Sequence, residues 1–364
     1  MSARSALIDR RNFVKAAGSL FLAGLSAPAA LALTRADAVF ATGIRTPDGR
    51  FALALMAEDG GFIAEIALPD RIHGLTVSPT TGAVAAFARR PGTFVLVTSP
   101  SGSSAATIIT AVADRHFYGH GAFSPDGRLL YASENDFESR RGVIGIYDAG
   151  QDYARIGEYP TYGIGPHDLS VTPDGRFLVA ANGGIETHPD FGRTKLNLDH
   201  MEPSLALIDA GTGALVEKHA LPAALSQLST RHLAIGAEGR IWFACQFEGP
   251  RNETPPLIGH IAPGEALAFT PLPEDVTIGL GNYVGAIASN PRDGLIGLTS
   301  PKGLVVTLEE ASGRLISTRR LENAAGIASA AHGFAVGTYD GIFAGMRHDA
   351  AFDQHAVRLT GNSV

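Results

Sequence analysis

The chain has 364 residues, 45% of them hydrophobic and 18% charged, with 43 glycines, one cysteine and a net charge of −7. This apolar content supports a sizeable core and excludes a disordered chain, and the acidic balance excludes a nucleic-acid binder, which needs a basic footprint. The single cysteine, Cys245, excludes an internal disulfide, a Cys-rich zinc or iron–sulfur centre and a C-x-x-C-H haem attachment.

The first segment reads as an address. Arg10-Arg11, followed by Phe13 and Lys15, precede the uncharged Ala, Leu and Gly-rich run from Ala16 to Ala32. A basic stretch, an apolar run and small-residue cleavage sites (Ala30-Leu31-Ala32, Ala36-Asp37-Ala38) form an export signal, and the paired arginines make it twin-arginine (Tat) in type. An ordinary N-terminal helix or a membrane anchor is the alternative, but the run is short for the ~20 residues of a span. Residues 1–32 are therefore expected to be a signal and 33–364 one periplasmic domain, with no membrane span in the mature chain.

Seven turn-like segments follow, ending in Gly49, Gly82, Gly127, Gly175, Gly239, Gly294 and Gly333, at an average interval of about 47 residues. Five carry the Pro that pre-sets a turn's early φ, at positions 47, 79, 125, 173 and 291, and all end in a Gly that accepts positive φ. Short Val, Ile, Leu, Phe and Tyr-rich runs flank the turns. The clearest unit has strands at 120–124, 128–133, 142–148 and 155–159, and the next repeats it at 168–172, 176–181, 204–209 and 215–221. Apart from the signal, no segment has helical periodicity long enough to compete. A four-stranded sheet cannot bury both faces alone, so the units must stack into a ring. The expected fold is all-β: a β-propeller of seven blades of four antiparallel strands, six or eight being the alternatives. Three N-terminal strands, near 38–43, 51–56 and 62–68, are left to pair with C-terminal strands and close the ring.

Histidines run in phase with this repeat. His73, His120 and His167 are 47 residues apart, and His232 follows after 65, one period plus the polar insertion at 183–203. Each falls near the start of the strand that lines a propeller's channel, and neutral imidazole is a common transition-metal ligand. These four residues are candidate ligands for iron or another transition metal. Their distances to the turn glycine differ (9, 7, 8 and 7 residues), so strand alternation aims them alike only with the help of bulges. Structural histidines capping channel strands are the plainer alternative.

A second set of polar residues is a candidate ligand or partner surface. It comprises Glu134, Asn135 and Asp136 at one strand end, Asn182 at the equivalent point of the next blade, His188, Arg193, Lys195 and Asn197 in the insertion, and Arg231 and Gln246 near the same rim. A connection as long as the insertion without its own apolar periodicity is commonly functional. A phosphate loop, a G-x-S-x-G elbow and an H-E-x-x-H motif are absent from the sequence.

The segments at 133–147 (SENDFESRRGVIGIY), 163–169 (GIGPHDL), 181–205 (ANGGIETHPDFGRTKLNLDHMEPSL) and 228–233 (LSTRHL) resemble a Tat-exported bacterial propeller family catalogued as domain of unknown function 1513. Asn323-Ala324-Ala325-Gly326 departs from its pattern, which has a cysteine before the glycine. The resemblance implies a part in periplasmic iron acquisition beside imelysin-type and di-haem proteins, which would be partners. The Pro166-His167 and Pro173-Asp174-Gly175 pattern is also similar to the wider YVTN and lactonase-like propellers. Three functions are open at this point: a binding protein for iron, haem or a partner; a metal-dependent hydrolase or lactonase; and a ligand-free scaffold.

Overall fold

The computed structural model describes residues 37–102 and 105–359; the expected signal at 1–32 lies outside them. All seven turn glycines have positive φ, between 59° and 86°, as their turns require. Six of them join the first and second strands of a blade. Gly49 instead joins a second strand to a third, because the first strand of its blade comes from the other end of the chain.

The strands form seven four-stranded antiparallel sheets arranged in a ring, so the protein is a seven-bladed β-propeller. Blade 1 consists of Ala351–Arg358, Phe40–Arg45, Phe51–Met56 and Phe62–Ala67, in that order outward from the axis. The C-terminal strand thus pairs with the first N-terminal strand and closes the ring, leaving Phe40–Arg45 paired on both sides. Blades 2 to 7 have inner strands Ile72–Val77, Arg115–Phe123, Pro166–Val171, Leu228–Ile235, Ala286–Asn290 and Ala324–Ser329, each touching its neighbours around the axis.

Middle strands such as Leu129–Asp136 and Arg141–Asp148 are almost wholly buried, whereas outer strands such as Ala154–Pro160 alternate exposed and half-buried positions. That contrast follows from stacking, which covers both faces of a blade near the axis and one face at the rim. Leu53 and Leu55 of blade 1 interlock with Val84, Ala86 and Leu96 of blade 2, each such aliphatic chain contributing roughly 1.5–3 kcal/mol on burial. A short helix not foreseen in the sequence, Glu274–Leu280, bridges blades 5 and 6 and buries Val276 and Leu280 against the blade 5 core. At seven residues it is two turns long, too short for a periodic pattern to register.

The ladder slips beside the histidine in each inner strand that carries one. In blade 4, Pro166 pairs with Asn182 and Asp168 with Ala181, so His167 has no partner and is turned to the axis. Equivalent slips fall at 72–75, 117–121 and 230–232, and on the closing strand between Phe352 and Ala356. These bulges reconcile the unequal sequence offsets with one common direction.

Candidate metal centre in the propeller channel

Five imidazoles meet on the axis: His73, His120, His167, His232 and a residue the sequence reading had passed over, His355. Neighbouring ring centroids are 4.7–4.8 Å apart, for the pairs 73–120, 73–355, 120–355, 232–355 and 167–232. They come from blades 2, 3, 4, 5 and 1, which are consecutive around the ring. The inner strands of blades 6 and 7, Ala286–Asn290 and Ala324–Ser329, carry no histidine and begin with small residues. Two glycines also make the approach possible. A side chain at Gly74 would meet the Gly119 carbonyl at 2.4 Å, and Gly119, at φ +110°, lies where a Cβ would be 2.8 Å from His73 Cδ2.

Burial holds these imidazoles neutral. It pushes His120 down to about 3 and His73, His167, His232 and His355 well below the usual histidine range, with Arg231 adding to the effect at His167 and neighbouring rings adding to it at His73, His232 and His355. Neutral imidazole is the form that ligates metal. The nitrogens are also unsatisfied: His120 Nε2, His167 Nε2, His355 Nε2 and both ring nitrogens of His232 are buried without a hydrogen-bond partner. Orphaned buried polar atoms are costly, and so many at one point call for a shared partner.

Within this layer, the ligand atoms of His73, His120 and His167, and those of His120, His232 and His355, lie within 4.8 Å of one another. Two nitrogens each ~2.1 Å from one ion are at most ~4.2 Å apart, so a shift of a few tenths of an ångström brings either trio into range.

Polar neighbours of the far ring atoms separate the two trios. His120 Nδ1 is 3.3 Å from Asp168 Oδ1, and Asp168 is itself fixed by the backbone N–H groups of Leu169 (2.7 Å) and Leu233 (2.9 Å). A carboxylate at this distance favours the proton on Nδ1 and so the lone pair on His120 Nε2, the usual outer support of a metal-bound histidine. Burial pushes the Asp168 carboxyl up to about 7. His167 is different: Arg231 Nη1 approaches its Nδ1 at 3.4 Å. A guanidinium only donates, so Nδ1 accepts and the His167 proton sits on Nε2. His120, His232 and His355 are therefore the favoured ligand set.

The histidine layer divides the channel into two mouths. One cavity, of about 410 Å³, is reached past apolar side chains such as Leu75, Phe123, Ile235, Ile287 and Val357, and ends on His120, His232 and His355. The other, of about 330 Å³, ends on His73 and His167 and is lined by Arg89, Arg90, Arg193, Lys195, Arg231 and Lys302. Tyr118, Tyr283 and Tyr339 fill the spaces between these cations.

A profile of the family described as "Protein of unknown function (DUF1513)" matches residues 66–359, six blades completely and the ring-closing strand with them. The chain belongs to this family. Among curated proteins, a 6-phosphogluconolactonase of Formosa agariphila is 30% identical over 111 residues, covering 30% of this chain and 30% of that protein. Among solved structures, Kuenenia stuttgartiensis hydrazine synthase aligns at TM-score 0.59 and 16% identity, over 81% of this chain and 92% of that one. A chain of a mitotic checkpoint complex aligns at TM-score 0.53 and 13% identity, over 74% and 70%. At such identities the two structures attest to the propeller alone.

In this DUF1513 chain the remaining residues singled out from the sequence divide between two places. Arg193, Lys195, Arg231 and Gln246 line the cationic mouth. Lys195 and Arg231 both pair with Glu248, Arg231 at 3.0 Å. The others brace the insertion or lie within blade 3. Asn197 accepts from Glu186 N (2.7 Å) and donates to the Gly184 carbonyl (2.9 Å). Asn135 donates to the Thr187 carbonyl, Asn182 to the Thr161 carbonyl, and His188 caps the turn at Pro189–Phe191. Glu134 is buried between Tyr147 and Arg155, and Asp136 pairs with Arg115 and Arg141.

His355 was hidden because no Pro-Gly turn follows it and its strand completes a blade begun at the other terminus. The signal that finds it is topological: a closing C-terminal strand takes the innermost place, so its one histidine belongs with the channel set.

Proposed function

We propose that this protein is an exported, periplasmic metal-binding propeller, carried out by its Tat-type signal, that holds a transition-metal ion on His120, His232 and His355. The observation behind this reading is the set of unsatisfied, neutral imidazole nitrogens gathered on the axis. An all-imidazole donor set suits iron, copper, nickel or zinc and disfavours magnesium or calcium. Iron is the metal that fits the acquisition role implied by the family resemblance, with imelysin-type or di-haem proteins as partners. The decisive experiment is elemental analysis of mature protein purified without chelators, beside an H120A/H232A/H355A variant shown to be folded. Near-stoichiometric metal lost in the variant supports the site; no metal in either protein refutes it.

A second reading, a lactonase-like hydrolase, draws on the partial likeness to 6-phosphogluconolactonase. It places Asp168 and the metal beside a substrate entering from a mouth, the metal polarising a carbonyl or activating water. Hydrolysis of a lactone panel by the metal-loaded protein tests it, and a rate equal to that of the triple variant refutes it.

A further inference from the structure

The cationic mouth stands apart from the rest of an acidic chain. Six basic side chains from the blades and the insertion surround a space of about 330 Å³. Glu248 answers two of them, Lys195 and Arg231. Among the described residues, Arg89, Arg90, Arg193 and Lys302 form no ion pair with a carboxylate. Arg90 instead donates to the Tyr118 hydroxyl at 2.8 Å, itself held by the Ile185 carbonyl and Thr187 of the insertion. The arginines work against one another: partial desolvation by the walls of the mouth, with the charges of Arg89, Arg90 and Arg231 nearby, pushes the solvent-facing Arg193 down to about 10. Arg89 and Arg231 are lowered for the same reasons. Holding like charges together costs stability, and an anion among them relieves that cost.

The arrangement also sets the kind of anion. The free cations enter from well-separated parts of the ring: Arg89 and Arg90 after the second strand of blade 2, Arg193 from the insertion in blade 4, Lys302 from blade 6. One small monoanion cannot meet all of them, whereas a ligand with several charged oxygens can. Guanidinium forks match carboxylate and phosphate oxygens in pairs, and the tyrosine rings supply apolar walls for a carbon framework. The floor of the cavity is His73 and His167, so a bound oxygen lies next to the histidine layer.

We propose that this mouth binds a small organic or condensed oxyanion carrying at least two negative charges, carboxylate or phosphate, and that the 183–203 insertion supplies part of its site. This deepens the reading of the channel as a binding site, but the anion is held by the cations and needs no metal.

The test is a calorimetric titration of the mature protein, stripped of metal and desalted, with citrate, pyrophosphate and acetate in separate runs. The expected result is saturable binding of citrate, pyrophosphate or both, at least tenfold tighter than acetate and weakened by added salt. Citrate alone identifies a polycarboxylate site, and pyrophosphate alone a phosphate site. The variant R193Q/K302Q changes two exposed side chains, so it keeps its fold, and should weaken the better anion by about tenfold or more. Absence of saturable binding by both polyanions, acetate binding as tightly, or an unchanged affinity in R193Q/K302Q overturns the proposal. Failure of the metal reading is seen separately, in the elemental analysis, and leaves these titrations unaffected.

Discussion

The imidazole of His355, on the last strand of the chain, lies 4.8 Å from that of His73, on the first channel strand after the N-terminal blade segment. Ring closure is thus also site closure, since the strand that seals the propeller brings in the fifth histidine. H355A and H167A should consequently differ. H355A removes a ligand of the favoured trio and is expected to lower metal affinity by about tenfold or more, whereas H167A, whose Nδ1 already accepts from Arg231, should retain most of the metal. Competition against a colorimetric chelator measures both. Equal losses in the two variants would refute the division of the layer.

Much of this was legible beforehand because the information was local. The turn glycines at 82, 127 and 175 and the apolar runs between them specify hairpins, and their period specifies blades. His73, His120, His167 and His232 stood out because they repeat with that period. What escaped was set by distant contacts. His355 joins the layer only through a pairing between the two chain ends, and Arg89 and Arg90 lie on one loop and Lys302 on another, whose convergence no sequence spacing records. The bulges that turn the histidines inward are equally unmarked, since an extra residue in a ladder is defined by its partner strand.

Ring closure also has a stability consequence. Phe352, 1% exposed, packs in the closing blade against Phe343, with ring centroids 5.3 Å apart, and in one cluster with Phe40. Phe352→Ala should cost about 3–5 kcal/mol by leaving a cavity where the two termini meet. Urea unfolding measures this, and a cost below ~1 kcal/mol would mean that the closing strand contributes little to the fold.

Cys245 is expected to be inert. It is fully buried in the second strand of blade 5, and burial pushes its thiol well above the ordinary range, against a small opposing effect of Arg231. A disulfide reagent at neutral pH should label no thiol in the native protein and one per chain in denaturant. Fast native labelling would show that blade 5 opens on that timescale.

Asp136 provides a stability term that depends on pH. Burial works against its ionised form, but hydrogen bonds from Ser139 and Arg141 and the charge of Arg115 outweigh it and lower its pKa from 3.8 to about 2. A carboxylate whose folded pKa lies below its unfolded value stabilises above the unfolded pKa and loses that contribution as pH falls through the folded one. The contribution is about 2 kcal/mol at pH 7, falls to roughly half near pH 3 and vanishes below pH 2. Asp136→Asn leaves Arg115 and Arg141 without their shared partner, so the variant should be less stable at pH 7 by at least that amount. The gap should narrow as acid protonates Asp136 in the wild type. Urea midpoints of both proteins at pH 7, 4 and 3 measure it, and a gap that is constant across these values would assign the stability to the shape of the side chain rather than to its charge.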